Sequence, residues 1–333
     1  MRTSLLLAAG LGIGLALSAV APARAVIVGD DDRKTFEDYA SDKGFDASSL
    51  QKRFAASGWL LCFSRKKGGD VGVAAATAQL VGRPDVIATA SHTFLDTRTG
   101  RVDVNFSQCG FLIWSQGRIV ARKIVASSVT IPGERATLAS RRFGNDWAVM
   151  RLDEPVPGVR PYDLVPASDI ARLREGAELK VTTVIGFHDN WSGGKSTLSI
   201  SDCDVAVAPA PPKQMRFTTT GTRALLTNCD IGRGASGAAL LVDRGGKPAM
   251  LGMTIISVGS DLESVGKSLD FSSSRPHFNI AISAEGRFGD AIRRLSGGRA
   301  APSPAEKIGG AATDSGVKRS IDQYLLDRND SRN

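Results

Sequence analysis

The segment TNCDIGRGASGAALL, residues 227–241, decides how the rest of the sequence is interpreted. It sets one hydroxyl, that of Ser236, among glycines and alanines a few residues after Cys229. Small neighbours leave a side chain and the adjacent backbone N–H groups uncovered, and a nucleophile beside an oxyanion hole requires that exposure. A tight glycine-rich loop requires the same residues. The segment alone leaves both interpretations open, so partners for Ser236 must be sought elsewhere.

A serine nucleophile needs a base, and the chain has three histidines, at positions 92, 188 and 277. His277 falls in a predicted loop, and His188 ends a predicted strand. His92 follows the apolar run VIATAS, which anchors the backbone and exposes the imidazole at a strand end. Such a base also needs a buried carboxylate that holds its tautomer and stabilises the imidazolium. Asp146, directly before the apolar run WAVM, is the candidate carboxylate.

Each of these residues, taken singly, is equally compatible with a turn aspartate, a hydrogen-bonded core histidine or a loop serine. Their joint occurrence in the order His92, Asp146, Ser236 favours a catalytic triad.

The body of the chain, from Val26 to about Leu295, consists mainly of predicted β-strands. Short apolar runs recur between turn residues at the spacing of sandwiches or barrels, and a proline-rich connector at 155–161 divides them into two groups. Apolar residues at helical spacing predict only two helices, over 48–57 and 285–295.

The two ends of the chain have a different composition. Residues 1–25 carry an early arginine, an apolar run and Ala-Arg-Ala, which predicts a signal peptide cut after Ala25. A membrane anchor is the alternative, but the run is short and no positive stop-transfer cluster follows it. We therefore expect a secreted or periplasmic protein. Residues 298–333 predict a flexible linker and a solvated tail, or a frayed helical turn around Ile321.

Charge and cysteine content narrow the functional classes. Signal removal takes two arginines from a net charge of +8, and the remaining charges are dispersed, with no basic block among aromatics. We therefore expect no nucleic-acid partner. Four cysteines in an exported chain predict two disulfides. Of the three possible pairings, Cys62–Cys109 and Cys203–Cys229 are favoured, because each pair then lies within one half of the chain.

Three segments in this order resemble trypsin-like serine proteases. TASH, NDWAVMRL and GASGAAL are similar to the TAAH, NDIALLRL and GDSGGPL of that family. VIVGDDDR, VIGFHDN and the CD pair before the serine loop resemble the bacterial secreted glutamyl-endopeptidase-like branch. The resemblance covers nearly all of Val26 to Leu295. It implies an all-β, chymotrypsin-like fold: one domain at 26–297, with two six-stranded antiparallel barrels at about 26–158 and 159–297, and a short C-terminal helix.

The resemblance also implies roles for individual residues. Ser236 would be the nucleophile, His92 the base and then the acid, and Asp146 the orienting carboxylate. The N–H groups of Gly234 and Ser236 would form the oxyanion hole. The implied activity is hydrolysis of protein or peptide substrates through an acyl-enzyme intermediate. We expect a monomer that needs no cofactor and no metal. Ala235 stands where trypsin-like zymogens carry the aspartate that receives the freed N-terminal amine, so we expect no such activation switch.

Substrate preference is predicted from the same resemblance. Ser257, Val258 and Gly259 would pair with the substrate backbone. Asp230 lies where trypsin-like enzymes carry the carboxylate at the floor of the primary pocket, which would favour Arg or Lys before the scissile bond. Alternatively, Asp230 only braces the loop and the preference is for acidic or for small and apolar residues. The glutamyl-endopeptidase branch uses a pocket histidine, and Ser257 stands at that place.

Two non-enzymatic interpretations remain. A catalytically silent relative would use the same barrels to bind a partner, although all three triad positions are intact. A calcium-binding module built on GDDDR is less favoured, because three consecutive carboxylates do not match the alternating ligands of a calcium loop.

Overall fold

β-Strands dominate the part of the chain that the computed structural model describes, which is residues 31–65, 71–96, 98–133, 143–173, 178–186, 198–207, 222–258 and 278–297. The strands are β1 (Ser57–Arg65), β2 (Val71–Leu80), β3 (Val86–Thr89), β4 (Cys109–Ser115), β5 (Arg118–Lys123), β6 (Ala148–Arg151), β7 (Asp163–Leu164), β8 (Glu178–Ile185), β9 (Ser199–Val207), β10 (Ala224–Thr227), β11 (Ala239–Arg244), β12 (Lys247–Val258) and β13 (Phe278–Ser283). The α-helices are α1 (Phe36–Lys43), α2 (Ala47–Arg53), α3 (Ala167–Ala171) and α4 (Gly286–Ser296).

The first six strands form one antiparallel sheet in the order β5-β4-β1-β2-β3-β6. Its two edges meet, because Ile124, directly after β5, bridges Leu152, directly after β6. A second bridge joins Thr130 to Val149 of β6. The sheet therefore closes on itself as a barrel, the solution that leaves few unpaired strand edges.

The remaining strands form the second sheet. Six of them follow one another as β11-β8-β9-β10-β13-β12, and β12 pairs again with β11, so the ring is closed. The two-residue β7 adds to β12 in parallel through Asp163 and Leu164. The all-β, two-barrel fold predicted from the sequence is confirmed. Within the described residues, this second sheet has seven strands rather than the expected six, because β7 extends the closed ring.

The sequence of strand β1 is almost continuously apolar because both faces of the strand are buried. Leu60 and Cys62 belong to the main core, whereas Trp59, Leu61 and Phe63 form a separate buried cluster with neighbours that include Leu112. A strand covered on both faces has no polar face to present to water, so alternation disappears from the sequence.

Both predicted helices are present, and the described residues contain two more, α1 and α3. The helix expected at 48–57 is α2, which ends earlier, at Arg53, since Ser57 already belongs to β1. It is capped by Asp46, whose side chain accepts from the backbone N–H of Ser49. The helix expected at 285–295 is α4, and its Phe288 stacks on Trp147 with ring centroids 5.6 Å apart. Helices α1 and α3 were not predicted.

Both disulfides favoured from the sequence are present. Cys62 and Cys109 face each other across β1 and β4, and Cys203 of β9 is joined to Cys229, just after β10. The predicted signal peptide (1–25) and the tail (298–333) lie outside the described residues. Among the helices in the described ranges, none is long and apolar enough to cross a membrane.

Candidate active site

His92 is carried on a short 3₁₀ turn, Ser91–Thr93, that follows β3. All four residues of β3 are buried, which anchors the chain up to this turn. The Phe94 amide closes the turn by donating to the Ser91 carbonyl at 2.9 Å. The His92 side chain retains 28% of its solvent exposure, so the imidazole is accessible although the strand before it is buried.

Asp146 is brought to His92 by the pairing of β3 with β6. These strands are antiparallel, and Thr89 at the end of β3 lies opposite Ala148 at the start of β6. The residues that follow β3 and precede β6 are therefore neighbours. Asp146 is buried, and the adjacent Trp147 is fixed by its stacking against α4.

Asp146 accepts three hydrogen bonds. Its Oδ2 lies 2.7 Å from His92 Nδ1. Its Oδ1 accepts from the His92 backbone N–H at 2.8 Å and from Ser91 Oγ at 2.9 Å. Such bonds stabilise an ionised carboxylate and orient the imidazole that depends on it.

The pKa values of this pair move apart. Burial raises the pKa of Asp146, but the His92 charge and the three hydrogen bonds outweigh it, and the pKa falls below its ordinary value. Burial lowers the pKa of His92, but the Asp146 charge and hydrogen bond outweigh it, and the pKa rises. The interaction thus favours the ionised form of Asp146 and the protonated form of His92.

Ser236 lies on a turn of the second barrel, opposite His92. Its Oγ is 2.9 Å from His92 Nε2. A neutral imidazole that donates from Nδ1 to Asp146 presents the Nε2 lone pair to the serine hydroxyl. The structure therefore brings His92, Asp146 and Ser236 together in one hydrogen-bonded chain that spans both barrels.

The turn around Ser236 contains two glycines with left-handed backbone conformations. Gly234 and Gly237 have φ values of 95° and 91°, a region that favours glycine. The amides of Ala235, Gly237 and Ala238 are used within the fold, donating to the carbonyls of Gly232, Thr254 and Ala235 respectively. In the described part of the chain, the N–H groups of Gly234 and Ser236 donate to no backbone carbonyl.

Of the three residues predicted to pair with the substrate backbone, the structure describes the backbone of two. Backbone pairing joins Ser257 and Val258 of β12 to β13, and Gly259 lies outside the described residues. Along the opposite edge of β12, pairing with β11 is described only up to Met253.

Asp230, predicted for the pocket floor, is buried and directed toward the N-terminal arm, residues 31–35. Its Oδ2 accepts from the Asp32 backbone N–H at 2.6 Å. The arm is held to the second barrel by two hydrogen bonds between the backbones of Lys34 and Ile200.

Sequence reasoning missed two groups that touch the site. Ser91 is adjacent to His92 but was considered only as part of a motif. Thr77, in β2, contacts the Ser236 turn and lies in a run of small residues that gives no signal of it. In the described part of the chain, no cluster of three or more metal-ligating side chains occurs.

Comparison with solved structures found similar folds in proteins described as proteases. The thermostable serine protease AL20 of an extremophilic microorganism matches with 14% identity and a TM-score of 0.46, over 74% of this chain and 98% of that one. The protease Anisep of Arthrobacter nicotinovorans matches with 12% identity and a TM-score of 0.44, over 73% and 95%. The inactivated protease paralogue S-D1 of the scabies mite matches with 11% identity and a TM-score of 0.51, over 84% and 100%.

The chain therefore has the chymotrypsin-like serine protease fold. No protein-family model matches it, and no curated protein sequence matches it either. The matched structures do not single out the glutamyl-endopeptidase branch, so that part of the resemblance stays a prediction.

Proposed function

We propose that this chain is an exported serine endopeptidase in which Ser236 is the nucleophile, His92 the general base and Asp146 the orienting carboxylate. One observation carries the proposal: the hydrogen-bonded chain that links Ser236 Oγ, His92 Nε2, His92 Nδ1 and Asp146 Oδ2 at 2.9 and 2.7 Å. Nucleophile, base and orienting group within hydrogen-bond reach of one another are the geometric signature of an activated serine.

In the proposed mechanism, each step of peptide hydrolysis is assigned to a named group of this chain. Ser236 Oγ attacks the scissile carbonyl carbon while its proton moves to His92 Nε2, and Asp146 stabilises the imidazolium. The carbonyl oxygen becomes an oxyanion, which the N–H groups of Gly234 and Ser236 would bind. His92 then protonates the leaving amine, and the acyl-enzyme forms. A water molecule, deprotonated by His92, releases the acid and restores Ser236.

Substrate recognition is assigned to the backbone of β12. An extended peptide would add to β12 at Ser257, Val258 and Gly259, beyond the described end of the β11 pairing at Met253. The Asp32 hydrogen bond to Asp230 supports bracing of the loop by that carboxylate. A preference for Arg or Lys before the scissile bond stays a prediction. Export also remains a proposal, supported by the two disulfides.

The decisive experiment is active-site labelling. The full chain, exported by a bacterial host, is treated with a fluorophosphonate, and the modified peptide is identified by mass spectrometry. We expect a single adduct on Ser236 that heat denaturation abolishes. The Ser236→Ala variant controls for reaction elsewhere, and Ser107→Ala, at a serine outside the site, should label like the wild type.

Two results would contradict the proposal. One is no adduct on the folded wild-type protein, which would indicate a silent relative that binds a partner. The other is equal labelling of the Ser236→Ala variant.

A further inference from the structure

Thr77 connects the first barrel to the turn that carries Ser236. It lies in β2 and is fully buried. Its backbone N–H donates to the Ser236 carbonyl at 3.1 Å, and its Oγ1 donates to the Gly234 carbonyl at 3.0 Å. The same Oγ1 accepts from the Gly186 amide at 3.0 Å, so the hydroxyl uses both its donor and an acceptor position.

The turn also packs closely against Thr77, since Gly237 lies next to the Thr77 carbonyl oxygen. A Cβ on Gly237 would lie 2.1 Å from the Thr77 carbonyl oxygen. That carbonyl accepts from Thr89 Oγ1 at 2.8 Å, at the end of the strand that leads to His92. Thr77 therefore contacts residues 234, 236 and 237, and it is tied to the strand that carries the base.

These contacts matter because the turn has little stiffness of its own. Glycines populate many backbone conformations, and two of the four residues at 234–237 are glycines with positive φ. An oxyanion hole requires that its N–H groups already point at one position before the charge develops. Fixing the carbonyls of Gly234 and Ser236 fixes the peptide planes on both sides of the Ser236 N–H and the plane directly after the Gly234 N–H.

We propose that Thr77 is a positioning residue: its hydroxyl, supplied by the first barrel, holds the oxyanion-hole turn of the second barrel in its active conformation. The proposal rests on the proposed function for its catalytic consequence, but not for its structural one. Without the hydroxyl, the Gly234 carbonyl and the Gly186 amide lose a shared buried partner. The hydrogen bonds described for the side chains of His92 and Asp146 run to each other, to Ser91 and to Ser236 rather than to this hydroxyl, so the pair should titrate as before.

The test compares Thr77→Val, which keeps the side-chain volume and removes the hydroxyl, with Thr77→Ser, which keeps the hydroxyl. We expect Thr77→Val to lower the second-order rate of Ser236 phosphonylation about 10–100-fold, less than or comparable to removal of an oxyanion donor. Thr77→Ser should stay within about threefold of the wild type, the range of ordinary context effects on one hydrogen bond. The pH at which the rate is half-maximal should be the same in all three proteins.

Hydrogen exchange supplies a readout that does not depend on activity. The amides of Ala235 and Gly237 should exchange at least about tenfold faster in Thr77→Val, because local opening becomes easier, and at the wild-type rate in Thr77→Ser. Thr77→Ala provides the same comparison if Thr77→Val does not fold. Unchanged phosphonylation in the valine variant, or an equal loss in the serine variant, would overturn the proposal. An unreactive wild type would instead defeat the proposed function, and exchange would still decide the role of Thr77.

Discussion

The Ser91 hydroxyl donates a hydrogen bond of 2.9 Å to Asp146 Oδ1, so the residue next to His92 holds the carboxylate to which the His92 imidazole is hydrogen-bonded. The same oxygen accepts from the His92 amide, and the other oxygen accepts from the imidazole. Two donors on Oδ1 prevent the carboxylate from rotating away from His92. This second donor is a side chain, so it can be removed without altering the backbone.

Ser91→Ala should lower turnover about tenfold, since a hydrogen bond to a charged group contributes about 1.5–3 kcal/mol. Loss of this donor removes one of the hydrogen bonds that lower the pKa of Asp146, so the carboxylate becomes a stronger base beside the imidazole. The pKa of His92 should therefore rise, and the acid limb of the pH–rate profile should move to higher pH. Steady-state kinetics over a pH series measures both effects.

Ser57→Ala is the matched control for Ser91→Ala. The Ser57 side chain is also buried and hydrogen-bonded, to the Tyr162 hydroxyl at 3.0 Å, but it does not touch the triad. It should lose stability without moving the acid limb. Identical pH profiles for Ser91→Ala and the wild type would show that Ser91 has only a packing role.

The pH dependence of the wild type follows from the raised pKa of His92. Burial alone would lower that pKa, but the Asp146 charge and hydrogen bond raise it further than burial lowers it. His92 must be neutral to accept the Ser236 proton, so the rate should rise with pH and be half-maximal above the range of an unperturbed imidazole. A rate independent of pH between about 5 and 8 would mean that another group is the base.

Asp146→Asn tests the orienting role of the carboxylate. The amide cannot supply the charge that raises the pKa of His92, so the acid limb should shift to lower pH. An amide donor facing Nδ1 also imposes the wrong tautomer, which should reduce turnover about 10⁴-fold. Crystallography or circular dichroism should confirm that the fold is intact. Retention of more than about one tenth of the activity would contradict the assignment of Asp146.

The sequence predicted the triad because each member lies beside a strand end with a recognisable local pattern. It did not predict α1, since FEDYASDK has only a weak apolar stripe, and this helix is held by tertiary contacts such as Tyr39 Oη to Asp202 at 2.8 Å. Thr77 gave no signal for the same reason: a threonine in a strand of small residues is ordinary until the second barrel packs against it. Contacts between distant segments decide such roles.

The hydrogen bond between the Asp32 backbone N–H and the Asp230 carboxylate joins residues that lie 198 positions apart in the sequence, so no local pattern predicts it. It bears on specificity. If Asp230 braces the arm, Asp230→Asn should leave the preference before the scissile bond unchanged, since the amide oxygen still accepts from the Asp32 N–H. A peptide-library cleavage profile measures the preference. Wild-type cleavage after Arg or Lys that disappears in Asp230→Asn would instead place the carboxylate at the pocket floor.

The two disulfides allow stability and catalysis to be separated. Their loops span 47 residues for Cys62–Cys109 and 26 for Cys203–Cys229. In the chain-entropy description, replacing each pair by serines should lower the free energy of unfolding by about 4 and about 3.5 kcal/mol respectively. Denaturant unfolding of the two double variants measures this order.

Loss of catalysis should follow the opposite order from loss of stability: removal of Cys203–Cys229 should cost more activity than removal of Cys62–Cys109. Cys229 enters the segment that leads through Asp230 to Ser236, and its carbonyl accepts from Asn279 Nδ2 at 2.7 Å, so its displacement disturbs the nucleophile turn. Cys62 and Cys109 tie β1 to β4, at a distance in the chain from either the turn or His92. Ser236 phosphonylation, measured under conditions in which both variants are fully folded, should therefore be slower in Cys203→Ser/Cys229→Ser. A greater loss in Cys62→Ser/Cys109→Ser would show that the second disulfide does not position the nucleophile.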